Sequence, residues 1–461
     1  RNVPRMEKAR QLMNIFTQIM EAVKRLFSKE IPNRLGTDIA VSRIMSEKIR
    51  LWTDCYENRA EWLTDKYRGR HLPSAIAKEM ARLVTLEFKS ELTGGKRAEY
   101  LSEAYGKLVA DAPLYTEYAC AQGGVMLKPY LSGGYISSAY VRADSFFPTA
   151  FDGSGNITGC IFAERKTVGK KFCTRLETHD YSKSLYVVKN TAYLSDSSDM
   201  LGRQVSLTSV PEWSELADVV KLKNFDRPLF CYFKMPGANQ FDGCSPLGVS
   251  VFANALDAIR DADEQYARLL WEFEGAELAV NVDVTALENP EKGGVPKHNR
   301  RLYRGFDSEN LYEVFSPAIR DQSLLNGLND ILRNVEHLSG LAFGTLSRID
   351  DTEKTATEVK ASKQRSYCTV SAIQKSLRKC LEEYLVCLEN LCDFYGLAPK
   401  DKTEQSFEFD DSLITDSETD QRIWLQEVAA GLMSPAEYRM RRYGETEEQA
   451  LAALPKAVGD D

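Results

Sequence analysis

Residues 236–250 read PGANQFDGCSPLGVS, residues 257–273 read DAIRDADEQYARLLWEF, and together they hold the pattern that decides the fold. Ser245 places a side-chain acceptor directly before Pro246, an arrangement typical of a helix start. Apolar residues then recur at three- and four-residue spacing as far as Phe273. The sequence therefore predicts a helix over 246–273, about 42 Å long.

Further elements are predicted downstream of this helix. Residues 274–316 form a break, with strand-like runs at 278–284 and 311–315 around a basic middle that is rich in glycine and proline. Pro317 is placed to open a second helix that ends near Leu338. After a loop with several glycines, the longest helix covers 353–395. Its apolar stripe is Val370, Ile373, Leu377, Leu381, Tyr384, Leu388, Leu391 and Tyr395.

Upstream, the chain changes from a helical period to a strand period. Helices are predicted over 4–27, 37–58, from Pro73 to Gly94-Gly95, and over 97–119. Between about 125 and 236, short β-branched and aromatic runs alternate with turn residues, for example at 135–142, 157–166, 172–179 and 185–194. The segment DGSGN at 152–156 predicts a hairpin turn, because glycine adopts the required positive φ angles. An antiparallel sheet inserted among helices is expected.

The C-terminal region, 396–461, is polar and acidic. Two short helices are predicted there, because the segments 434–437 and 446–449 both fit the capping box, in which two residues satisfy each other's free amides. The fold class expected for the whole chain is therefore α+β, predominantly helical.

Composition narrows the function. The chain has 461 residues and a net charge of -8, so a role that depends on gripping DNA over a large basic surface is not favoured. Ten cysteines without a C-x-x-C pair predict free buried thiols in a reducing compartment. No apolar run approaches the roughly 20 residues that span a bilayer, so no membrane segment is expected. The sequence begins with arginine, and we expect that some N-terminal residues are missing.

Motifs for cofactors and metals are not convincing. The segment 93–97, TGGKR, lacks the first glycine and the final Ser or Thr of a phosphate-binding loop. Gly153, Gly155 and Gly159 have the wrong spacing for a dinucleotide fingerprint and join two predicted strands.

Candidate metal ligands are equally sparse. The four histidines have no second ligand at helical or turn spacing, and the acidic pairs at 350–351 and 410–411 lack a glycine-turn framework. We therefore predict no catalytic residue, no metal and no cofactor, hence not an enzyme.

Three segments carry a resemblance to a known family. They are the 236–250 segment that leads into residues 257–266, the KTATEV segment at 354–359, and the tail pattern at 407–416 followed by 430–434. In this order they resemble portal proteins of siphovirus-type tailed bacteriophages, over about residues 230 to 450. The N-terminal 120 residues match that family only in being helical.

The resemblance implies the portal fold, with long stem and wing helices, an inserted antiparallel β region and a small α/β clip. In order along the chain, it assigns a wing (1–245), a stem helix (246–273), a clip (274–316), a second stem helix (317–338), a tunnel loop (339–352), a long wing helix (353–395) and a crown (396–461). It also implies a ring, usually of twelve subunits, at one capsid vertex of the virion, assembled in the host cytoplasm.

Two candidate sites follow from the resemblance. The loop facing DNA would present Leu341, Phe343, Thr345, Leu346, Ser347 and Arg348. The clip would offer a basic run to partners, or would be a solvated loop whose charges pair across subunits; the run is Lys292, Lys297, Arg300, Arg301 and Arg304.

The implied partners are double-stranded DNA, the terminase large subunit, head-completion or adaptor proteins, and the major capsid and scaffolding proteins. The ATP for packaging would come from a separate motor. Two alternatives stay open at this point: a DNA-processing enzyme such as a metal-dependent nuclease, and another minor structural protein of the virion.

Overall fold

The computed structural model describes residues 39–65, 67–182, 185–197, 200–276, 279–283, 302–305, 312–315, 318–348, 356–409, 417–443 and 445–454. They belong to two compact units, one made of the chain up to Thr85 with Lys89–Phe407, the other of Leu86–Phe88 with the chain from Glu408. Helices account for 46% and strands for 24% of the described residues. The α+β class is confirmed, with helix as the larger share but below one half.

Helices and one strand occupy the described chain from residue 43 to residue 122. They are α1 (Arg43–Tyr56), α2 (Leu72–Thr85), β1 (Lys89–Gly94), α3 (Lys96–Ala110) and α4 (Ala112–Gln122). The hydroxyl of Ser42 begins α1 by accepting a hydrogen bond from the amide of Met45 at 3.0 Å. The helix predicted over 4–27 lies outside the described residues.

Two of these predictions were wrong in their extent. The helix predicted from Pro73 to Gly94-Gly95 ends at Thr85, because residues 89–94 form a strand that pairs with β14 (Thr403–Glu408). The helix predicted over 97–119 is divided into α3 and α4 at Asp111. Pro113 lies at the start of α4, where its missing amide hydrogen costs nothing but would have interrupted a continuous helix.

The predicted antiparallel β region is confirmed. Its strands are β2 (Gly124–Ser132), β3 (Tyr135–Arg142), β4 (Phe146–Phe151), β5 (Ile157–Val168), β6 (Lys171–Ser182), β7 (Leu185–Ser195), β8 (Arg203–Val205), β9 (Val219–Leu222) and β10 (Cys231–Lys234). One sheet has the order β10-β2-β3, and the other has the order β4-β5-β6-β7-β8, with β9 also paired to β7. The hairpin turn at 152–156 joins β4 to β5, with Gly155 at a φ of +80°.

Buried polar groups link the two sheets. The ammonium of Lys128 on β2 lies 2.6 Å from the carboxylate of Glu177 on β6, and the other oxygen of that carboxylate lies 2.7 Å from Nε2 of His179. Burial opposes ionisation of Glu177, but the charge of Lys128 outweighs it and holds the pKa well below its usual range. Burial lowers the pKa of His179, so this imidazole is neutral near pH 7.

The segment before the first predicted stem helix is not helical at its beginning. The helix predicted from Pro246 starts ten residues later, as α5 (Leu256–Gly275), after a short 3-10 turn at Ala253–Ala255. In the preceding segment, backbone donors bond to distant groups instead of to helical carbonyls: the amide of Val251 donates to the carbonyl of Cys120, at 3.0 Å. Gly248 packs so closely on Gly123 that a Cβ would lie 2.0 Å from the Gly123 oxygen.

The downstream elements follow the predicted order. Strands β11 (Ala279–Asp283), β12 (Leu302–Gly305) and β13 (Tyr312–Phe315) form a sheet in which β11 pairs parallel to β12 and antiparallel to β13. The strand β12 was not predicted. Helix α6 (Asp321–Ser339) packs beside α5 and begins at Asp321, later than the predicted Pro317.

The longest helix, α7 (Ala356–Tyr395), has 40 residues and is about 60 Å long. Its predicted stripe is buried from Val370 to Leu391, and only Tyr395, at 50% exposure, lies outside the core.

The second unit contains α8 (Ser417–Ala429), α9 (Pro435–Tyr443) and α10 (Glu447–Ala452). The capping box predicted at Thr446 is complete, since Gln449 and Thr446 bond to each other's amides. At Ser434 the hydroxyl accepts a hydrogen bond from the amide of Glu437, while the Glu437 carboxylate pairs with Arg441. Both helix starts therefore lie where the sequence predicted them.

Candidate functional site: the loop between helices α6 and α7

The loop begins at a glycine that ends helix α6. Gly340 has a φ of +73° and caps the helix in the left-handed conformation. A Cβ at this position would lie 2.7 Å from Oγ1 of Thr369 on α7, so the loop leaves α6 in close contact with the long helix. The structure describes the loop as far as Arg348, and the remaining predicted loop residues lie outside the described chain.

The six loop residues singled out from the sequence have different environments. Leu341 is 1% exposed and Ser347 is 7% exposed, so both pack inside the subunit. Leu346 is half-buried. Phe343, Thr345 and Arg348 are exposed. The surface of the loop is therefore formed by one aromatic ring, one hydroxyl and one guanidinium.

A buried carboxylate holds the loop in this conformation. Glu336, in the last turns of α6, is fully buried. It accepts hydrogen bonds from the amides of Gly344 (3.1 Å), Leu346 and Ser347 (2.8 Å), and from the Ser347 hydroxyl at 2.8 Å. These donors form a concave arrangement of backbone N–H groups that is typical of anion-binding loops, and the protein's own carboxylate occupies it.

The balance of charge makes this contact decisive for the loop. Within the described residues, no basic side chain forms an ion pair with Glu336, so its charge is compensated by backbone and hydroxyl donors alone. A buried carboxylate without those donors would be very costly. The conformation of residues 344–347 and the burial of Glu336 therefore depend on each other.

A second anchor lies one turn and a half earlier on α6. The amide of Arg348 donates to Oδ1 of Asn329 at 2.7 Å, and Nδ2 of Asn329 donates to the carbonyl of Arg348 at 3.3 Å. Both backbone groups of Arg348 are thus satisfied by a single side chain. The loop folds back along α6, held near its middle by Glu336 and at Arg348 by Asn329.

The long helix contributes a third contact through Arg365. Nη1 of Arg365 lies 2.6 Å from Nδ1 of His337, and its guanidinium lies 5.9 Å from the centroid of the Phe343 ring. Because a guanidinium only donates, His337 must accept at Nδ1 and carry its proton on Nε2. Arg365 therefore joins the end of α6, the loop and α7 at the surface.

The helix pair that precedes the loop is fastened by buried acids. Glu272 on α5 binds the amide and the guanidinium of Arg320, with Nη2 at 2.8 Å. Asp263, also on α5, accepts hydrogen bonds from the indole of Trp62 (3.0 Å) and the amide of Arg70 (2.8 Å). Burial raises the pKa of Asp263. These contacts fix α5 both to α6 and to the N-terminal region.

The basic run of the predicted clip is largely outside the described chain. Lys292, Lys297, Arg300 and Arg301 lie there, and Arg304 is described only as a backbone position in β12.

The motifs rejected from the sequence have structural roles. Gly94 and Gly95 join β1 to α3, and the carboxylate of Asp401 accepts a hydrogen bond from the amide of Lys96 at 3.1 Å, so an acid already occupies this helix start. Gly153 and Gly155 belong to the 152–156 hairpin. In the described part of the chain, no group of three or more His, Cys, Asp or Glu residues is placed to hold a metal ion.

All ten cysteines are free, and eight of them are buried. None of the described helices has the length and apolar character needed to cross a membrane.

Sequence reasoning did not identify Glu336, Asn329 or Arg365 as site residues. A glutamate and an asparagine on a helix normally read as solvated positions, and nothing in their spacing distinguishes them. One signal was available for Glu336: it lies between Val335 and His337, one position from the apolar stripe of α6, next to the glycine-rich loop. The partners of Arg365 lie 22 and 28 residues away, beyond any local pattern.

Comparison with known proteins gives the class of the molecule. The family model described as "Phage portal protein, SPP1 Gp6-like" matches residues 114–456, which include both sheets of the β region, the α5/α6 pair, the loop and the long helix. No curated protein matches the chain. A chain in the solved structure "Neck of native GTA particle computed with C12 symmetry" is 13% identical, covers 84% of this chain and 91% of that chain, and has a TM-score of 0.41. A likeness this distant carries no argument here.

The fold and the match thus define a structural protein of the phage particle, of the portal class. Because the match covers most of the chain, the protein belongs to the SPP1 Gp6-like phage portal protein family. The resemblance inferred from residues 236–250, 354–359 and 407–416 is thereby confirmed.

Proposed function

We propose that this protein forms the portal ring at one capsid vertex, through which DNA is packaged and ejected. The family match over 114–456 carries the proposal, because it spans every element of the predicted stem, loop and long helix. In the ring, the usual number of copies would be twelve. The protein would act as a conduit and as a docking point, in the virion and, during assembly, in the host cytoplasm.

The domain map of the ring subunit is part of the proposal. The wing would comprise 1–245 and the start of the long helix, the stem the α5/α6 pair, the clip 274–316, and the crown 396–461. Two antiparallel neighbours such as α5 and α6, fastened by Glu272 and Arg320, support a rigid stem that carries the small β11–β13 sheet as its protruding end. The β11–β13 sheet contains parallel and antiparallel pairs, as a small clip insertion would.

The loop after α6 would face DNA in the channel. Phe343, Thr345 and Arg348 are its exposed residues, and they would form the surface that DNA meets. Leu341 and Ser347 would support that surface from inside, and Leu346 would lie between the two. The Glu336 carboxylate would keep the loop in one conformation while DNA moves past it.

The clip would bind the terminase large subunit and the head-completion or adaptor protein, and the outer faces of the ring would contact capsid and scaffolding proteins. Replacing Arg300, Arg301 and Arg304 with alanine should weaken motor or adaptor docking and leave the ring intact. Pull-down of the purified terminase large subunit, with electron microscopy of the same sample, measures both properties. Normal docking and packaging by this variant would show that the basic run does not bind partners.

Negative-stain electron microscopy of the purified full chain tests the ring itself. Annular particles with radial symmetry and a central hole are expected, and class averages would give the number of copies. A chain that remains a monomer at all concentrations and in assembled particles would contradict the proposal. In the described residues nothing favours the nuclease alternative over this one.

A further inference from the structure

Two arginines beside the loop lack the partner that most described arginines have. Throughout the described chain, guanidinium groups are paired with carboxylates, as in Arg97–Asp393 and Arg320–Glu272. Arg348 and Arg365 form no ion pair with any acid of the described chain, although both lie on an acidic protein with a net charge of -8. Their positive charges therefore remain uncompensated at the surface of one loop.

Arg365 is held in place without losing its capacity to bind an anion. The Phe343 ring lies beneath the guanidinium, and His337 accepts one of its hydrogen bonds. A guanidinium has five N–H donors, so four remain for a ligand. Because both contacts restrain the side chain, less conformational entropy is lost when the remaining donors bind.

Arg348 reaches the surface from a backbone that is equally well fixed. Asn329 binds its amide and its carbonyl, so the exposed side chain starts from a rigid position. One guanidinium therefore projects from the loop and the other from the long helix, and Phe343 lies in contact with the second. This pattern of fixed, exposed and unpaired arginines suits a planar anion that accepts two hydrogen bonds.

We propose that Arg348 and Arg365 together form a contact site for the phosphodiester backbone of duplex DNA. The assignment rests on the proposed function, and it extends the DNA-facing surface from the loop to the long helix. Two phosphate contacts per subunit are few, so the contact guides DNA without arresting it: the affinity of such contacts falls steeply with salt and carries no sequence preference.

The test uses assembled rings of the full chain and a fluorescent 40-base-pair duplex as the probe. Binding is measured by anisotropy across a series of salt concentrations for wild type, Arg348→Ala, Arg365→Ala and the double variant. Each single substitution should weaken binding about threefold to tenfold near 100 mM salt and lower the slope of log K against log salt by about 1. Arg365→Lys, which keeps the charge but not the fork, should fall between wild type and Arg365→Ala.

Arg422→Ala is the matched control, since Arg422 is also exposed and forms no ion pair with an acid of the described chain, but belongs to the second unit. It should bind DNA as wild type does. Intact rings that bind the duplex equally well with or without Arg348 and Arg365 would overturn the assignment alone.

Two other outcomes would also overturn it. Rings that dissociate when Arg348 or Arg365 is replaced would assign these residues to a carboxylate of the neighbouring copy. A wild-type chain that forms no ring would remove the proposed function, and this site with it.

Discussion

At the scale of single residues, Glu336 connects the end of helix α6 to three successive regions of the loop. Its two oxygens serve three amides and one hydroxyl, and no ordinary substitution offers the same set of acceptors. Glutamine retains one acceptor oxygen and turns an NH2 group toward backbone N–H donors. The loop conformation should therefore be sensitive to this change in a way that the fold is not.

We expect Glu336→Gln to lower the free energy of unfolding by about 2–4 kcal/mol, because buried donors lose their acceptor. Hydrogen–deuterium exchange should show much faster exchange of the amides of Gly344, Leu346 and Ser347. The control is Glu382→Gln, an exposed member of an i,i+4 ion pair on α7, which should change little. Unchanged protection of the three loop amides would show that Glu336 does not hold the loop.

His179 provides a pH-dependent contribution to stability. Its pKa is lowered in the folded chain by burial, so the unfolded chain binds a proton more readily below about pH 6.5. Stability is therefore complete above that pH and falls as the solution is acidified toward the folded pKa. Glu177 acts in the same direction at lower pH, because its pKa is held below the unfolded value.

His179→Gln should flatten the dependence of the melting temperature on pH between 7.5 and 5.5. The variant is also expected to lose about 1–2 kcal/mol at pH 7.5, since contacts to Tyr186 and Glu177 change. His337→Gln, at an exposed histidine, should keep the wild-type pH dependence. Parallel curves for wild type and His179→Gln would exclude His179 as the group that titrates.

At the scale of secondary-structure elements, the contact between the end of α6 and the middle of α7 sets where the loop starts. Gly340 combines a positive φ with a close approach to Thr369. Gly396, at the end of α7 in the same unit, has a φ of +62° but open space around it. The two glycines therefore separate the cost of backbone strain from the cost of a steric clash.

Gly396→Ala should cost about 1 kcal/mol from backbone strain alone. Gly340→Ala should cost more, because its Cβ would also lie 2.7 Å from the Thr369 hydroxyl. Thr369→Ala should recover part of the loss caused by Gly340→Ala and none of the loss caused by Gly396→Ala. Chemical denaturation measures the four variants, and equal costs at the two glycines would mean that α6 and α7 are not in close contact here.

At the scale of the whole molecule, the ten free cysteines report how tightly the chain is packed. Eight are buried in the core, and Cys244 and Cys368 are exposed. Burial raises the pKa of the Cys55 thiol to about 12 and that of Cys392 to about 11, so few reactive thiolates form in the folded chain. Sγ of Cys231 and Sγ of Cys387 lie 3.4 Å apart without a bond, which agrees with the free thiols expected from the sequence.

Labelling with a maleimide at neutral pH should therefore modify two thiols in the folded protein and ten after unfolding in guanidinium. Intact mass spectrometry gives the number, and peptide mapping should locate the two at Cys244 and Cys368. Cys244→Ser with Cys368→Ser should remove native labelling altogether. Rapid modification of further cysteines in the folded chain would contradict the packed core.

Local interactions determined much of the fold, and the sequence alone was enough to predict it. The apolar stripe of α7 from Val370 to Leu391, the turn at 152–156 and the helix start at Thr446 each depend on residues within one or two turns of each other. Spacing along the chain therefore carries the information. The order helix, small insertion, helix, loop, long helix follows from the same patterns.

Only the tertiary structure decided the features that join distant segments. Residues 89–94 became a strand because 403–408 pairs with them, and α5 begins at Leu256 because Val251 and Gly248 bind and pack on the end of α4. Glu336 became a site residue because the loop amides converge on it. In each case the deciding energy is a hydrogen bond or a close approach formed after chain reversal, which no local spacing encodes.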